Sequence, residues 1–292
     1  MIGWLIYSQA DVEKNKRYIQ FYMEEGLKRN MDIRLVVLEE LNFGLKAGKW
    51  FISGRCDEII YPDFAVCRTI YPLLSKQLEV MGIPVFNNSM IAEICNDKAR
   101  TYQYVAGLGI SIPDTEFCKY SHIEDRLLVI SGPTVVKAVA GHGGNQVYLL
   151  EPGDSTEVEL AKKGILSGLN GADAVIQPLT GLKHQDLRVY VIGKKIIGCV
   201  LRTAREGFKS NFSLGGEVKS YTLSPEETHL VDRIINLFDF GLVGIDFIIG
   251  DHGELIFNEI EDVVGSRMLY QCTDINLVGL YLDYIRSRIT GL

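Results

Sequence analysis

The chain has 292 residues, 47% of them hydrophobic and 23% charged, which suits a globular protein of two or three domains whose cores need no covalent staples. A formal net charge of −7 argues against a general nucleic-acid binder, because phosphate neutralisation needs clustered Lys and Arg. The 6 cysteines show no CxxC spacing and several lie in apolar runs, so they read as buried free thiols rather than a disulfide framework.

Residues 2–7 form an apolar run that reads as a strand, not as a signal peptide. No apolar run approaches the roughly 20 residues of a membrane span, and a cytoplasmic location with no membrane partner is the expectation. Residues 12–30 carry Val12, Ile19, Tyr22, Met23 and Leu27 on one helical stripe. Residues 33–38 and 65–67 are further apolar runs, a helix is predicted over 73–81, and residues 83–86 read as another strand. Strands alternating with helices imply parallel pairing, so residues 1–93 are expected to form a small Rossmann-like α/β domain. It lacks the GxGxxG fingerprint, which leaves a dinucleotide oxidoreductase without support.

A helix is predicted to start at the capping residues Asn96 and Asp97 and to run to about residue 108. Short strands follow at 134–139, 146–149, 174–177, 187–191 and 195–202. Ser224, Pro225 and Glu227 together signal a capped helix start. Strands at 243–249 and 255–260 flank a tight turn at 250–253, and a last helix spans 277–289. This second part is an α+β pattern dominated by antiparallel strands. The expected organisation is 1–93, 94–180 and 181–292.

Four groups of residues carry chemistry. Asp246 interrupts an apolar strand, and Glu259 and Glu261 lie two apart in the next, on one face. Such carboxylates repel one another unless a cation sits between them, and Mg²⁺ or Mn²⁺ with a polyphosphate suits them. The solvent face of an antiparallel sheet would give the same alternation. Lys137 ends an apolar strand and is followed by Gly141, Gly143 and Gly144, a turn able to wrap a phosphate or to serve as an ordinary hairpin. Lys98 lies near a helix start, the end that favours anions. Asp186 and Arg188 share a strand face, Arg202 is expected on the neighbouring strand, and Asn211 lies in a glycine-containing loop.

In order, Asn96-Asp97-Lys98, Lys137 with its glycine turn, Gln177-Pro178, Asp186-Leu-Arg188, Arg202, Ser210-Asn211 with Gly215-Gly216, Gly244-Ile-Asp246 and Asn258-Glu259-Ile-Glu261 resemble the layout of RimK-like ATP-grasp ligases. The resemblance implies an ATP-grasp fold, with residues 1–93 as the pre-grasp domain and ATP between two α+β subdomains. By that likeness Lys98 and Lys137 contact ATP phosphates, the turn at Gly141, Gly143 and Gly144 covers them, and Gln177 and Leu179 belong to the adenine hinge. Arg188, Arg202 and Asn211 face the reacting phosphate or carboxylate, and Asp246, Glu259 and Glu261 bind Mg²⁺ or Mn²⁺. The implied reaction is ATP-dependent: a carboxylate becomes an acyl phosphate, and an amine, such as that of glutamate, displaces phosphate to form an amide. The acceptor is a small molecule or a peptide or protein tail, and a homo-oligomer is compatible with the pattern. Two departures stand out. Glu261 occupies a position where the family usually has Asn, and residues 262–267 differ from its usual stretch. They leave room for a rival reading, a nucleotide-binding regulator or scaffold without turnover. Arg68, just past the strand at 64–67, is placed to hold a substrate carboxylate, since strand ends face the site in α/β layers.

Overall fold

The computed structural model describes residues 1–54, 61–153, 155–181, 183–204 and 217–291. The N-terminal third contains β1 (Ile2–Tyr7), α1 (Gln9–Leu27), β2 (Asp32–Val37), β3 (Asn42–Lys46), β4 (Lys49–Ser53), β5 (Phe64–Cys67), α2 (Pro72–Val80) and β6 (Val85–Phe86). The apolar runs pair in parallel as a sheet of order β2-β1-β5-β6, the expected α/β layer, while β3 and β4 form a separate hairpin. The chain leaves β1 toward β2 on one side and reaches β5 on the other, so the strand order reverses between β1 and β5. Crevices at the carboxyl ends of such neighbours are where open α/β sheets bind ligands.

Next come α3 (Ser89–Cys95), α4 (Lys98–Ala106), β7 (Glu116–Cys118), α5 (Tyr120–Leu128), β8 (Thr134–Ala138), β9 (Val147–Leu150), α6 (Ser155–Leu169) and β10 (Ala174–Pro178). The four strands make an antiparallel sheet of order β7-β10-β8-β9. The remaining elements are β11 (Gln185–Ile192), β12 (Lys195–Thr203), β13 (Glu217–Tyr221), α7 (Pro225–Leu237), β14 (Leu242–Ile249), β15 (Leu255–Glu261), α8 (Arg267–Cys272) and α9 (Leu277–Thr290). Their strands form a five-stranded antiparallel sheet of order β13-β12-β11-β14-β15. Together the layers are the expected α/β plus α+β combination. Helix α7 starts where the sequence places it, with the reciprocal Ser224–Glu227 capping box formed. No helix among the described residues is long and apolar enough to cross a membrane.

The five-stranded sheet decides where the chemistry can go. One face carries Leu187, Val189, Val191, Val243, Ile245 and Phe247 and packs with Ile91, Tyr102, Val105, Val231 and Ile234 from α3, α4 and α7. The other face is divided along its strands. Tyr190, Ile192, Val200 and Leu242 join an apolar cluster with α1, α8 and α9. At the opposite end the same face carries Asp186, Arg188, Arg202 and Asp246, all buried.

Asn87, 4% exposed just past β6, ties the N-terminal sheet to this region. Its Oδ1 accepts from Gly241 N at 2.6 Å, and its Nδ2 donates to Leu242 O at 2.8 Å and to Asp262 Oδ1 at 2.6 Å. The other oxygen of Asp262 accepts from Asn96 at 3.2 Å, two residues before Lys98. Removing the Asn87 amide would strand several buried groups, each costing about 1–3 kcal/mol, so Asn87→Ala should destabilise the fold by about 2–4 kcal/mol. Urea unfolding with an unchanged m-value reads this directly. A loss below about 0.5 kcal/mol, the scale of an ordinary surface change, would mean that water replaces the amide there.

Candidate active site

Asp246 is 1% exposed, and a carboxylate that deep must be paired. Its Oδ1 accepts from Arg188 Nε at 2.8 Å. Its Oδ2 accepts from Arg188 Nη2 at 2.6 Å and from Arg202 Nη2 at 2.7 Å. Arg202 reaches onward to both oxygens of Asp186, and Arg188 reaches Glu261 at 2.7 Å. The order Asp186–Arg202–Asp246–Arg188–Glu261 is therefore a continuous ladder of alternating charge. Strand register builds it, since Arg188 lies opposite Asp246, and Asp186 opposite Arg202. Burial alone would raise the Asp246 carboxyl; the two arginines outweigh it and hold the group at about 2.

Oxygens of Asp246, Glu259 and Glu261 all lie within 4.8 Å of one another. Register again explains this, because Asp246 pairs with Glu259 and Gly244 with Glu261. The donor set is all oxygen, partly exposed, and fits a hard divalent cation. Burial and the neighbouring carboxylates Asp246 and Glu259 push Glu261 up in spite of Arg188, whereas Lys98 and Lys137 draw Glu259 down against its burial.

Lys98 and Lys137 come from different elements and meet here. Lys98 stands at the first turn of α4, whose start is fixed by Asp97 accepting from Arg100 N at 2.9 Å. Its Nζ donates to Gly141 O and lies 3.2 Å from Glu259. Lys137, in β8, donates to Asn258 Oδ1 at 2.8 Å. Burial lowers the Lys137 amine to about 8; Glu259 opposes the fall and Lys98 adds to it. Both lysines line a cleft with Val135, Gln177, Leu179, Asp186, Asn258 and Glu259.

The glycine turn closes one end of this cleft. Gly143 (φ +61°) and Gly144 (φ +78°) take left-handed backbone, which residues with a Cβ rarely adopt. Gln177 lies in β10, and its amide donates to Thr115 Oγ1 at 2.8 Å. Leu179 N donates to Pro133 O at 2.9 Å. The structure thus brings Lys98, Lys137, Gly144, Gln177, Leu179 and Glu259 to one cleft, and joins Asp246, Arg188 and Glu261 to it through Glu259. Arg188 and Arg202 lie in the cluster, bonded to carboxylates rather than free. Asn211 lies outside the described residues. Arg68 stands apart, 8% exposed at the end of β5. Sequence reasoning passed over Asn258 as a partner of Lys137. Register explains why: Asp246 pairs with Glu259 and Phe247 with Phe257, so Asn258 is an extra residue in a β-bulge and is re-aimed.

A model of the RimK-like ATP-grasp domain matches residues 95–285. A protein named probable alpha-L-glutamate ligase, from Maridesulfovibrio salexigens, is 29% identical over 237 residues, covering 79% of this chain and 76% of that one. A solved structure of a RimK domain ATP-grasp protein from Sphaerobacter thermophilus matches with a TM-score of 0.72 and 20% identity, over 97% of this chain and 99% of that one. The ATP-grasp ligase PsnB, complexed with a phosphomimetic variant of minimal precursor, Mg and ADP, matches with a TM-score of 0.67 and 17% identity, over 98% of each chain. At these identities the likeness to the solved structures is one of fold.

The depressed Lys137 amine gives a signed pH dependence. Between about 8 and 10.5 the unfolded chain holds a proton that folded Lys137 has lost, so this group makes stability rise with pH across that window. The difference in stability between wild type and Lys137→Met, followed by urea titration from pH 7 to 10.5, should change with that sign. A flat difference would place Lys137 in water.

Proposed function

This chain belongs to the RimK-like ATP-grasp family and is an ATP-dependent carboxylate–amine ligase, and from that premise we propose that it joins an amino acid, glutamate first among candidates, to an acceptor carboxylate. The observation that carries the reading is the convergence of Lys98, Lys137 and Glu259, from three separate elements, on one cleft. The naming of 29% identical relatives as probable alpha-L-glutamate ligases supports glutamate. Residues 1–93 act as the pre-grasp unit, and ATP lies between residues 94–180 and 181–292.

In this reading Lys98 and Lys137 hold ATP phosphates, and the turn containing Gly141, Gly143 and Gly144 covers them. Gln177 and Leu179 border the adenine. Asp246, Glu259 and Glu261 would hold Mg²⁺, or Mn²⁺ in its place, whose positive charge supports the transferring phosphoryl group. The side-chain charges favour this. Asp186, Asp246, Glu259 and Glu261 are balanced by Arg188, Arg202, Lys98 and Lys137. A polyphosphate entering a neutral site brings negative charge that the protein alone does not offset.

The chemistry has two steps. The acceptor carboxylate oxygen attacks the γ-phosphorus, the bond to the β-phosphate breaks, and ADP leaves. The amine then attacks the acyl carbon, and phosphate departs with the C–O bonding pair. The protein contributes positioning and charge neutralisation. Arg188 and Arg202 lie beside Asp246 and serve the transferring group once the polyphosphate competes for them, and Asn211 belongs to the same step.

The test is ADP release with Mg²⁺, glutamate and a panel of acceptors that includes peptides ending in glutamate. Turnover should require both an acceptor and an amine. Glu261→Asn should keep substantial activity, and Glu261→Lys should lose at least a hundredfold, the scale of deleting a charged transition-state contact. Wild-type rates in Glu261→Lys would remove Glu261 from the metal site. ATP binding without ADP release for every pair would favour the regulator.

A further inference from the structure

A second set of buried polar atoms lies outside the cleft. Arg68 follows β5 and Tyr7 ends β1, the two strands between which the order of the N-terminal sheet reverses. Arg68 N donates to Ile6 O at 2.8 Å, which fixes the two carboxyl ends side by side. The guanidinium of Arg68 spends one N–H on Val264 O, at 2.8 Å. Its carbon lies 5.5 Å from the centre of the Tyr18 ring. Among the described residues no carboxylate pairs with it, and its Nε has no acceptor. The hydroxyls of Tyr18 and Tyr22 are also buried without a hydrogen-bond partner, and the Tyr7 hydroxyl rests against Arg68.

An arginine that is 8% exposed, with no counter-ion among the described residues, is costly in a fold. Two phenols with unmet hydroxyls beside it add to the cost, and buried groups left unpaired in one place point to a bound partner. Guanidinium N–H groups only donate, and the phenols can donate with them, so the partner must be an acceptor carrying negative charge. A carboxylate has that charge and the planar edge that suits a guanidinium.

We infer that Arg68, Tyr7, Tyr18 and Tyr22 form a carboxylate subsite that holds the free carboxylate of the amino-acid amine substrate. The inference rests on the ligase reading above and names the substrate class of the same site. Val264 lies beside both the subsite and the charge ladder. Its carbonyl takes the Arg68 N–H, while its Cγ2 and Arg188 Cδ would lie 2.6 and 3.3 Å from a Cβ added to Gly244. An amino acid anchored at Arg68 can therefore extend its amine toward the reaction centre. The subsite also answers a problem of selectivity. An amine substrate that carries its own carboxylate must be kept from being phosphorylated in place of the acceptor, and a guanidinium holding that group away from the triphosphate does this.

The test measures binding by calorimetry in the presence of Mg²⁺ and a non-hydrolysable ATP analogue. The probes are the twenty amino acids and, for L-glutamate, its α-amide and its γ-amide. Arg68→Met should weaken glutamate at least tenfold and leave the affinity for the ATP analogue unchanged. Tyr22→Phe removes only a hydroxyl without a partner. It should weaken glutamate severalfold and raise the Tm of the ligand-free protein, a combination that a merely structural tyrosine would not give. An α-amide bound as weakly as glutamate is by Arg68→Met assigns the α-carboxylate to the subsite, and the same result for the γ-amide assigns the side chain. Unchanged glutamate affinity in both variants overturns the proposal. So does a wild-type protein that binds none of the twenty amino acids, whereas the ligase reading is judged separately by ADP release.

Discussion

Asp246 carries its charge inside the sheet, and much of the site follows from keeping it there. Taking one ion of such a pair away leaves the other uncompensated, at a cost of about 3–5 kcal/mol, whereas an apolar replacement of the whole cluster is often neutral or stabilising. The ladder from Asp186 to Glu261 is therefore a weak source of fold stability, and its presence in an otherwise apolar sheet has to be explained by chemistry. What it supplies is a set of charges whose pairing can be exchanged. Each guanidinium is already desolvated and oriented, so an incoming polyphosphate or carboxylate meets groups that need not be taken out of water again.

The divided face of the five-stranded sheet makes this arrangement possible. Tyr190 and Arg188 lie two apart on β11 and share a face, yet Tyr190 belongs to the apolar cluster and Arg188 to the charged one. The Tyr190 hydroxyl donates to Gly265 O at 2.9 Å and closes the border between the two halves. The apolar half anchors α8 and α9, and the charged half is left to face the cleft. Lys98 arrives from a helix packed on the opposite face, and Lys137 from the smaller sheet, so the cleft depends on how the two sheets are held.

Much of this was legible in the sequence because period and capping are local. The two-residue spacing of Glu259 and Glu261 fixes their common face, and the capping box at Ser224 fixes the start of α7 within a residue. Strand alternation also places Asp186 with Arg188. It cannot say what they touch, and Arg188 and Arg202, read as facing substrate, are bonded to carboxylates that come from other strands. The bulge at Asn258 was out of reach for a similar reason, since an extra residue is visible only when the partner strand is known. The β3–β4 hairpin was missed because its residues alternate weakly and leave Leu45 and Trp50 exposed. Arg68 was found by topology, but its tyrosine neighbours were not: Tyr18 and Tyr22 read as ordinary residues of an amphipathic α1.

The segment after β15 draws these observations together. Within five residues Glu261 meets Arg188, Asp262 meets Asn87 and Asn96, Val264 meets Arg68, and Gly265 meets Tyr190. It is the stretch whose sequence departs from the family pattern, and here it bonds in turn to the charge ladder, the junction before α4, the end of β5 and the centre of β11. A residue that binds so many elements is not free to vary for substrate fit alone, because its backbone is held by all of them. The freedom to differ lies in the side chains that line the gap. Val264 is one of them: its carbonyl accepts from Arg68, and its side chain packs in the apolar cluster with Tyr190 and Met268. A residue held from both sides in this way can change only by changing what the end of β5 and the centre of β11 rest on.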